Sequence, residues 1–191
     1  MANDLSNDFD GIPVEDMYDS QDQLVPGRSC GSCTLCCTVL PVPELQKPPD
    51  ISCTHAVAGK GCAIHVNRPS SCRQLFCGWR LDPNVDALWK PDICGFVLTI
   101  NFYYSALMLL VDPTRPLAWR MQPYYGRLKE WSGRAFNENK RIVALVNGEM
   151  TVVLPDRDVP LGRLGPGDEI ALFRDAGGYR AERRDKREAR L

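Results

Sequence analysis

No stretch of this chain approaches the roughly 20 apolar residues needed to cross a bilayer. The longest apolar run, Ala106 to Val111, is the size of one strand. Residues 1–23 carry seven acidic side chains and no Lys or Arg, so the basic start and apolar core of a secretory signal are missing too. These absences point to the cytoplasm and exclude a membrane partner. Marks of a catalytic site are also missing: there is no G-x-S-x-G elbow, no H-E-x-x-H pair, no dinucleotide fingerprint and no glycine-rich phosphate loop after a strand. Whether the protein is an enzyme stays open, with the balance toward no. Asp156, Asp158 and Asp168 lie in turn-rich segments, where carboxylates cap backbone groups, and are not read as catalytic.

One-signed charge is scarce as well. The net charge is −1. The acidic head contrasts with Arg180–Leu191, which holds six basic and three acidic residues. Blocks of a single sign are the usual mark of a nucleic-acid contact. The alternating signs here suit a solvated helix, and nucleic acid is not an expected partner.

What the chain has in excess is sulfur. Cys30, Cys33, Cys36, Cys37, Cys53, Cys62, Cys72 and Cys77, eight of the nine cysteines, fall within 48 of the 191 residues, and both histidines, His55 and His65, lie among them. A chain of this length can bury a core without covalent staples. In a reducing compartment, clustered cysteine points to metal or redox chemistry more than to disulfides. Pro41, Pro43, Pro48 and Pro49 interrupt the segment and leave a loop-rich module without long helices. Bound metal can supply the order that such a module lacks.

Cys30, Cys33 and Cys36 recur every third residue around Gly31, so a tight turn can aim their sulfurs at one point. Zinc takes four ligands at about 2.3 Å from sulfur, and iron–sulfur clusters use thiolates as well. Eight cysteines therefore make two sites or one polynuclear site. Neighbouring side chains in extended chain diverge, so Cys36 and Cys37 serve different ions, or one bridges two. The competing reading of Cys37 is a small buried hydrophobe. Arg28, Lys60, Arg68, Arg73 and Arg80 are the nearby cations that would offset thiolate charge, and Phe76 and Trp79 would cover the sulfurs.

With these residues in view, the chain resembles a known family. Cys30-x2-Cys33-x2-Cys36-Cys37, a lone Cys53, and Cys62-Ala-Ile-His-Val-Asn-Arg68-Pro69-Ser-Ser-Cys72-Arg73-Gln-Leu-Phe-Cys77 resemble the CxxCxxCC zinc- or iron-chelating domain, the YkgJ family of cysteine-cluster proteins. The likeness covers roughly residues 28–80. It implies that the eight cysteines are the metal-binding set, and names either chelation or iron–sulfur oxidoreduction. Members of the family often carry Tyr before the Arg-Pro step; His65 stands near that point here and reads as a packing substitute. His55 is a reserve ligand left outside the site. Cys94, apart from the motif, reads as core filler at the start of a strand.

In order, residues 1–27 read as a flexible acidic leader, 28–92 as the cysteine module, 93–182 as a β-rich portion with one helix, and 183–191 as a charged tail. Phe96–Ile100 and Leu107–Val111 read as paired strands. Tyr124–Asn137 reads as an amphipathic helix with Tyr125, Leu128, Trp131 and Phe136 on one face. Asn147-Gly148 suits a type I′ turn between Ile142–Val146 and Met150–Leu154. Another strand pair is expected at Ile170–Arg174 and Tyr179–Glu182, and Leu161–Asp168 reads as a turn-dense connection. The fold class is α+β: a loop-rich metal module joined to a mainly antiparallel sheet with one amphipathic helix.

Three functions follow. The first is a non-catalytic cytoplasmic protein holding zinc, or iron, in a two-site or polynuclear thiolate cluster, whose β-rich half docks an unidentified protein. The second is an iron–sulfur protein in electron transfer, although neither the C-x3-C-P nor the C-x4-C run of common ferredoxins occurs. The third is a thiol redox sensor.

Overall fold

The computed structural model describes residues 24–75 and 77–185. The leader expected at 1–23, the covering role of Phe76 and the end of the tail at 186–191 lie outside the described residues. The chain divides into two compact units between Thr99 and Ile100. It is α+β, with mostly antiparallel strands and one main helix among the described residues.

The first unit is built of short pieces, as its prolines require. Helix α1 (Leu35–Val39) buries Leu35 and Val39. Two two-residue strands, β1 (Ala56–Val57) and β2 (Gly61–Cys62), pair antiparallel. Three further single-turn helices follow: α2 (Ser70–Arg73), α3 (Gly78–Leu81) and α4 (Pro91–Cys94). Pro91 opens α4, where its missing N–H costs nothing, and Gly95 closes it at φ 82. Cys94 therefore ends a helix instead of beginning a strand. It is 1 % exposed and its Sγ–H donates to the carbonyls of Trp89 and Phe96, as core sulfur does. Leu24–Gly27, expected in the leader, is tied in: the Val25 amide donates to the Arg80 carbonyl at 2.9 Å.

Strand β3 (Phe96–Asn101) carries the chain across the division. In the second unit, β4 (Ala106–Val111) and β5 (Arg141–Val146) pair in parallel, from Ala106↔Arg141 to Leu110↔Leu145. Parallel neighbours need a long crossover, and residues 112–140 supply it with α5 (Tyr124–Asn137). A parallel pair was not expected inside the sheet. Helix α5 has the expected bounds, but its buried stripe is Tyr124, Leu128, Trp131 and Ser132. Tyr125 is only partly buried and donates its hydroxyl to Asp158 at 3.1 Å.

Strand β6 (Glu149–Val153) returns antiparallel to β5, with Val146 opposite Glu149. Asn147 at φ 52 and Gly148 at φ 79 make the turn, as a two-residue hairpin requires. Beyond it lies β7 (Asp158–Gly162), at the end of the strand order. Pro160 and Gly162 hid this strand in the sequence, although an edge strand tolerates proline. Asp158 is not a turn cap: Lys129 reaches it at 2.7 Å and Arg120 at 3.2 Å. Asp168 does cap, accepting the Gly165 amide at 2.6 Å.

Strands β8 (Asp168–Asp175) and β9 (Gly178–Asp185) form the last hairpin. Arg180–Asp185 is thus strand and not the helix its charges suggested. Ala181 points inward and joins Ile170, Val143, Val152 and Leu154 in one buried cluster. Residue-by-residue antiparallel pairing with β8, from Asp168↔Asp185 to Asp175↔Gly178, fixes the segment as strand. Phe136 meets Tyr179 edge-to-face at 4.8 Å and fixes α5 to this hairpin.

Leu128 is 0 % exposed. Leu128→Ala should therefore cost about 2–5 kcal/mol, read as a lower urea midpoint at unchanged slope, while Glu130→Ala, whose side chain is 64 % exposed, should change it by less than about 0.5 kcal/mol.

Candidate metal centre

All nine cysteines are free thiols. Seven of the eight clustered ones, Cys30, Cys33, Cys36, Cys37, Cys62, Cys72 and Cys77, line one cavity of about 190 Å³ within the first unit. Cys53 is joined to them through the backbone, its amide donating to the Cys37 carbonyl at 3.0 Å.

Short local structures present these sulfurs. The Cys33 amide donates to the Cys30 carbonyl at 2.9 Å, closing the first turn, with Gly31 at φ 52. Cys36 and Cys37 sit in α1, not in extended chain. Successive helical side chains still diverge, by about 100°, so the two residues face different neighbours although their sulfurs share a hydrogen bond. Cys62 is carried by β2 opposite Ala56. Cys72 lies in α2, whose Cys72 and Arg73 amides both donate to the Pro69 carbonyl at 3.1 Å. Cys77 precedes α3 and accepts the Arg80 amide at 2.8 Å.

The turn of Cys30–Cys33 and strand β2 meet at two glycines. A Cβ on Gly61 would lie 2.2 Å from the Gly31 carbonyl oxygen, and Gly61 has φ +93. Only glycine allows this approach, which brings Cys62 beside the first cysteine turn.

The thiols influence one another in two sets. Cys33, Cys36 and Cys77 all feel the charge of Cys30. Cys62 and Cys72 both feel Cys37 and Cys53, and Cys62 shares a hydrogen bond with Cys37. Burial raises the pKa of Cys33, Cys62 and Cys72, and pushes Cys77 up to about 11. The hydrogen bond between Cys36 and Cys37 places the proton on Cys36, whose pKa rises, and lowers Cys37 to about 6. Among the described residues, no group of three or more His, Cys, Asp or Glu side chains is drawn in tightly enough to hold an ion as it stands. The donor set suits a thiophilic ion; binding would have to pull the sulfurs together, coupling it to folding.

Of the expected cations, Arg28 is committed elsewhere. It donates to the carbonyls of Trp79 and Asp82 at the end of α3 and lies over the Trp79 ring at 5.7 Å. Arg68, Arg73 and Arg80 line the cavity; Lys60 does not. Trp79 is 9 % exposed and forms part of the wall. His65 also lines it, with Arg68 donating to its carbonyl at 2.9 Å. Burial, then the charges of Arg68 and Arg80, lower the His65 pKa. His55 is not in the lining, and its carbonyl accepts the Ala63 amide.

Lys47 escaped the sequence reading. It is 9 % exposed, and its Nζ donates to the carbonyls of Thr38, Leu40 and Pro48. A lysine shortly after a helix is a weak hint of such a cap, but the fold of the loop that returns it to α1 is not written in local sequence.

No family model matches the chain, and no curated protein and no solved structure matches it.

Gly61→Ala should force apart the Cys30 turn and β2 at a cost of about 1–3 kcal/mol. Alkylation followed by peptide mass spectrometry should show Cys30 and Cys62 reacting several-fold faster than in the parent, with Cys94 unchanged.

Proposed function

We propose that this is a metal-binding protein of the cysteine-cluster chelating kind, holding zinc in two thiolate sites: Cys30, Cys33, Cys36 and Cys77 in one, and Cys37, Cys53, Cys62 and Cys72 in the other. The observation that carries the reading is the convergence of seven free thiols on one cavity, with Cys53 joined to the wall through Cys37. The two sets of mutual influence, which meet where Cys36 adjoins Cys37, support two sites over one. The resemblance of residues 28–80 to the CxxCxxCC domain supports the same set of donors.

Two divalent ions with four thiolates each would bring a charge of about −2 per site, which needs compensation where it is partly buried. Arg68, Arg73 and Arg80 in the wall provide it for the module as a whole. An ion closed by four thiolates keeps no open position for water. The reading is therefore a structural or cargo role in the cytoplasm and not catalysis.

Protein purified without oxygen or chelator should carry about two zinc ions per chain and be colourless. Cys77→Ser and Cys72→Ser should each lose about one ion by elemental analysis, and Cys94→Ser none. Loss of both ions in either variant would replace two sites with one polynuclear cluster. Brown protein with iron and acid-labile sulfide would replace zinc with an iron–sulfur cluster, and metal-free thiols that interconvert with disulfides would make the module a redox sensor.

A further inference from the structure

We infer that Glu44 is the positioning residue of Cys72: its carboxylate is the tie that holds the helix carrying this sulfur in the wall of the cavity. The role rests on the metal-binding reading above, in which Cys72 is a ligand.

The other cysteine-bearing elements have anchors of their own. Helix α1 buries Leu35 and Val39, α3 buries Gly78 and Trp79 just after Cys77, and β2 is paired with β1. Helix α2, four residues long, buries none of its residues. A single turn does not hold itself together in water. Among the described residues, every hydrogen bond that joins residues 69–75 to another part of the chain runs from Ser71 to Glu44. Those of Cys72, Arg73 and Gln74 end on Pro69 and Ser70, inside the same turn.

The Ser71 amide donates to one carboxylate oxygen of Glu44 at 3.0 Å, and the Ser71 hydroxyl donates to the other at 2.6 Å. First-turn amides have no partner inside a helix, and an ionised carboxylate only accepts, so the two groups match. Hydrogen bonds to a charged acceptor are the short, strong kind. Glu44 itself stands on a fastened loop. The Val42 amide donates to the Lys47 carbonyl at 2.9 Å, the Lys47 amide returns to the Val42 carbonyl at 3.1 Å, and Val42 is 2 % exposed. Lys47 Nζ then donates to the carbonyls of Thr38 and Leu40 at the end of α1. Because α1 carries Cys36 and Cys37, the tie from Glu44 sets Cys72 against that pair across 27 residues of sequence.

The experiment alkylates metal-free, reduced protein at neutral pH and follows each cysteine by peptide mass spectrometry. Glu44→Ala should make Cys72 react several-fold faster and leave Cys30 and Cys94 unchanged. Glu44→Gln keeps an acceptor oxygen without the charge and should stay near the parent. Ser71→Ala, which removes the hydroxyl and spares the carboxylate, should fall between, and adding it to Glu44→Ala should give no further increase. Equal acceleration by Gln and Ala would assign the effect to charge, equal acceleration of every cysteine would assign it to general loosening, and additive effects of Glu44 and Ser71 would separate the partners. Each of these, or no acceleration at all, would overturn the role. In chelator competition, Glu44→Ala should weaken zinc about 10–100-fold, and unchanged affinity would overturn it too. Parent protein that takes up no zinc would instead overturn the metal-binding reading, while the alkylation rates would still decide whether Glu44 places Cys72.

Discussion

Crowding of ionisable sulfur is the constraint on which the first unit depends. Thiolates repel one another and lose solvation when buried, so thiols gathered around one cavity hold their protons. The raised pKa values of Cys33, Cys62, Cys72 and Cys77 are that cost expressed in protons. Cys37 escapes it because Cys36 and Cys62 donate to its sulfur and Lys47 stands near. A cation that replaces the protons removes the repulsion and collects the sulfurs at once. Under the proposed zinc binding, the loose packing of the donors and their shared cavity are two aspects of one state.

The backbone makes this arrangement with little regular structure. Among the described residues, four α-helices of five residues or fewer, two short 3-10 turns and a pair of two-residue strands give the first unit few ladder hydrogen bonds. Turns and close approaches do the work instead. Gly31 and Gly61 bring the first cysteine turn onto β2, and Arg28 and Lys47 fasten the ends of α3 and α1 with charged donors. The second unit is conventional by contrast, with α5 against the sheet, an aromatic contact from Phe136 to Tyr179, and Lys129 binding Asp158 together with the carbonyls of Leu154 and Arg157.

What could be read in the sequence follows from the range of the forces involved. Helix α5 and the Asn147-Gly148 hairpin are local: periodicity sets one and the preference of Asn and Gly for positive φ sets the other. Seven of the eight clustered cysteines line one cavity, while Cys53 does not, a division that their spacing did not show. The helical state of Cys36 and Cys37 was not visible either, because five residues carry too little propensity to outweigh the neighbouring prolines and turns. Parallel pairing of β4 with β5 depends on a crossover and was not legible, whereas the β8–β9 pair was legible at Ile170–Arg174 and Tyr179–Glu182, and only its charged extension through Asp185 was hidden. Lys47 was missed because its partners at Thr38 and Leu40 are defined by a loop closure, not by a motif.

The central claim is that these sulfurs bind ions and do so four at a time. X-ray absorption at the metal edge, on protein prepared without oxygen or added metal, addresses it directly. The account predicts a zinc edge with a first shell of about four sulfurs at about 2.3 Å and no nitrogen or oxygen. A first shell containing oxygen or nitrogen, or no metal edge above background in protein whose eight thiols titrate as free, would contradict it.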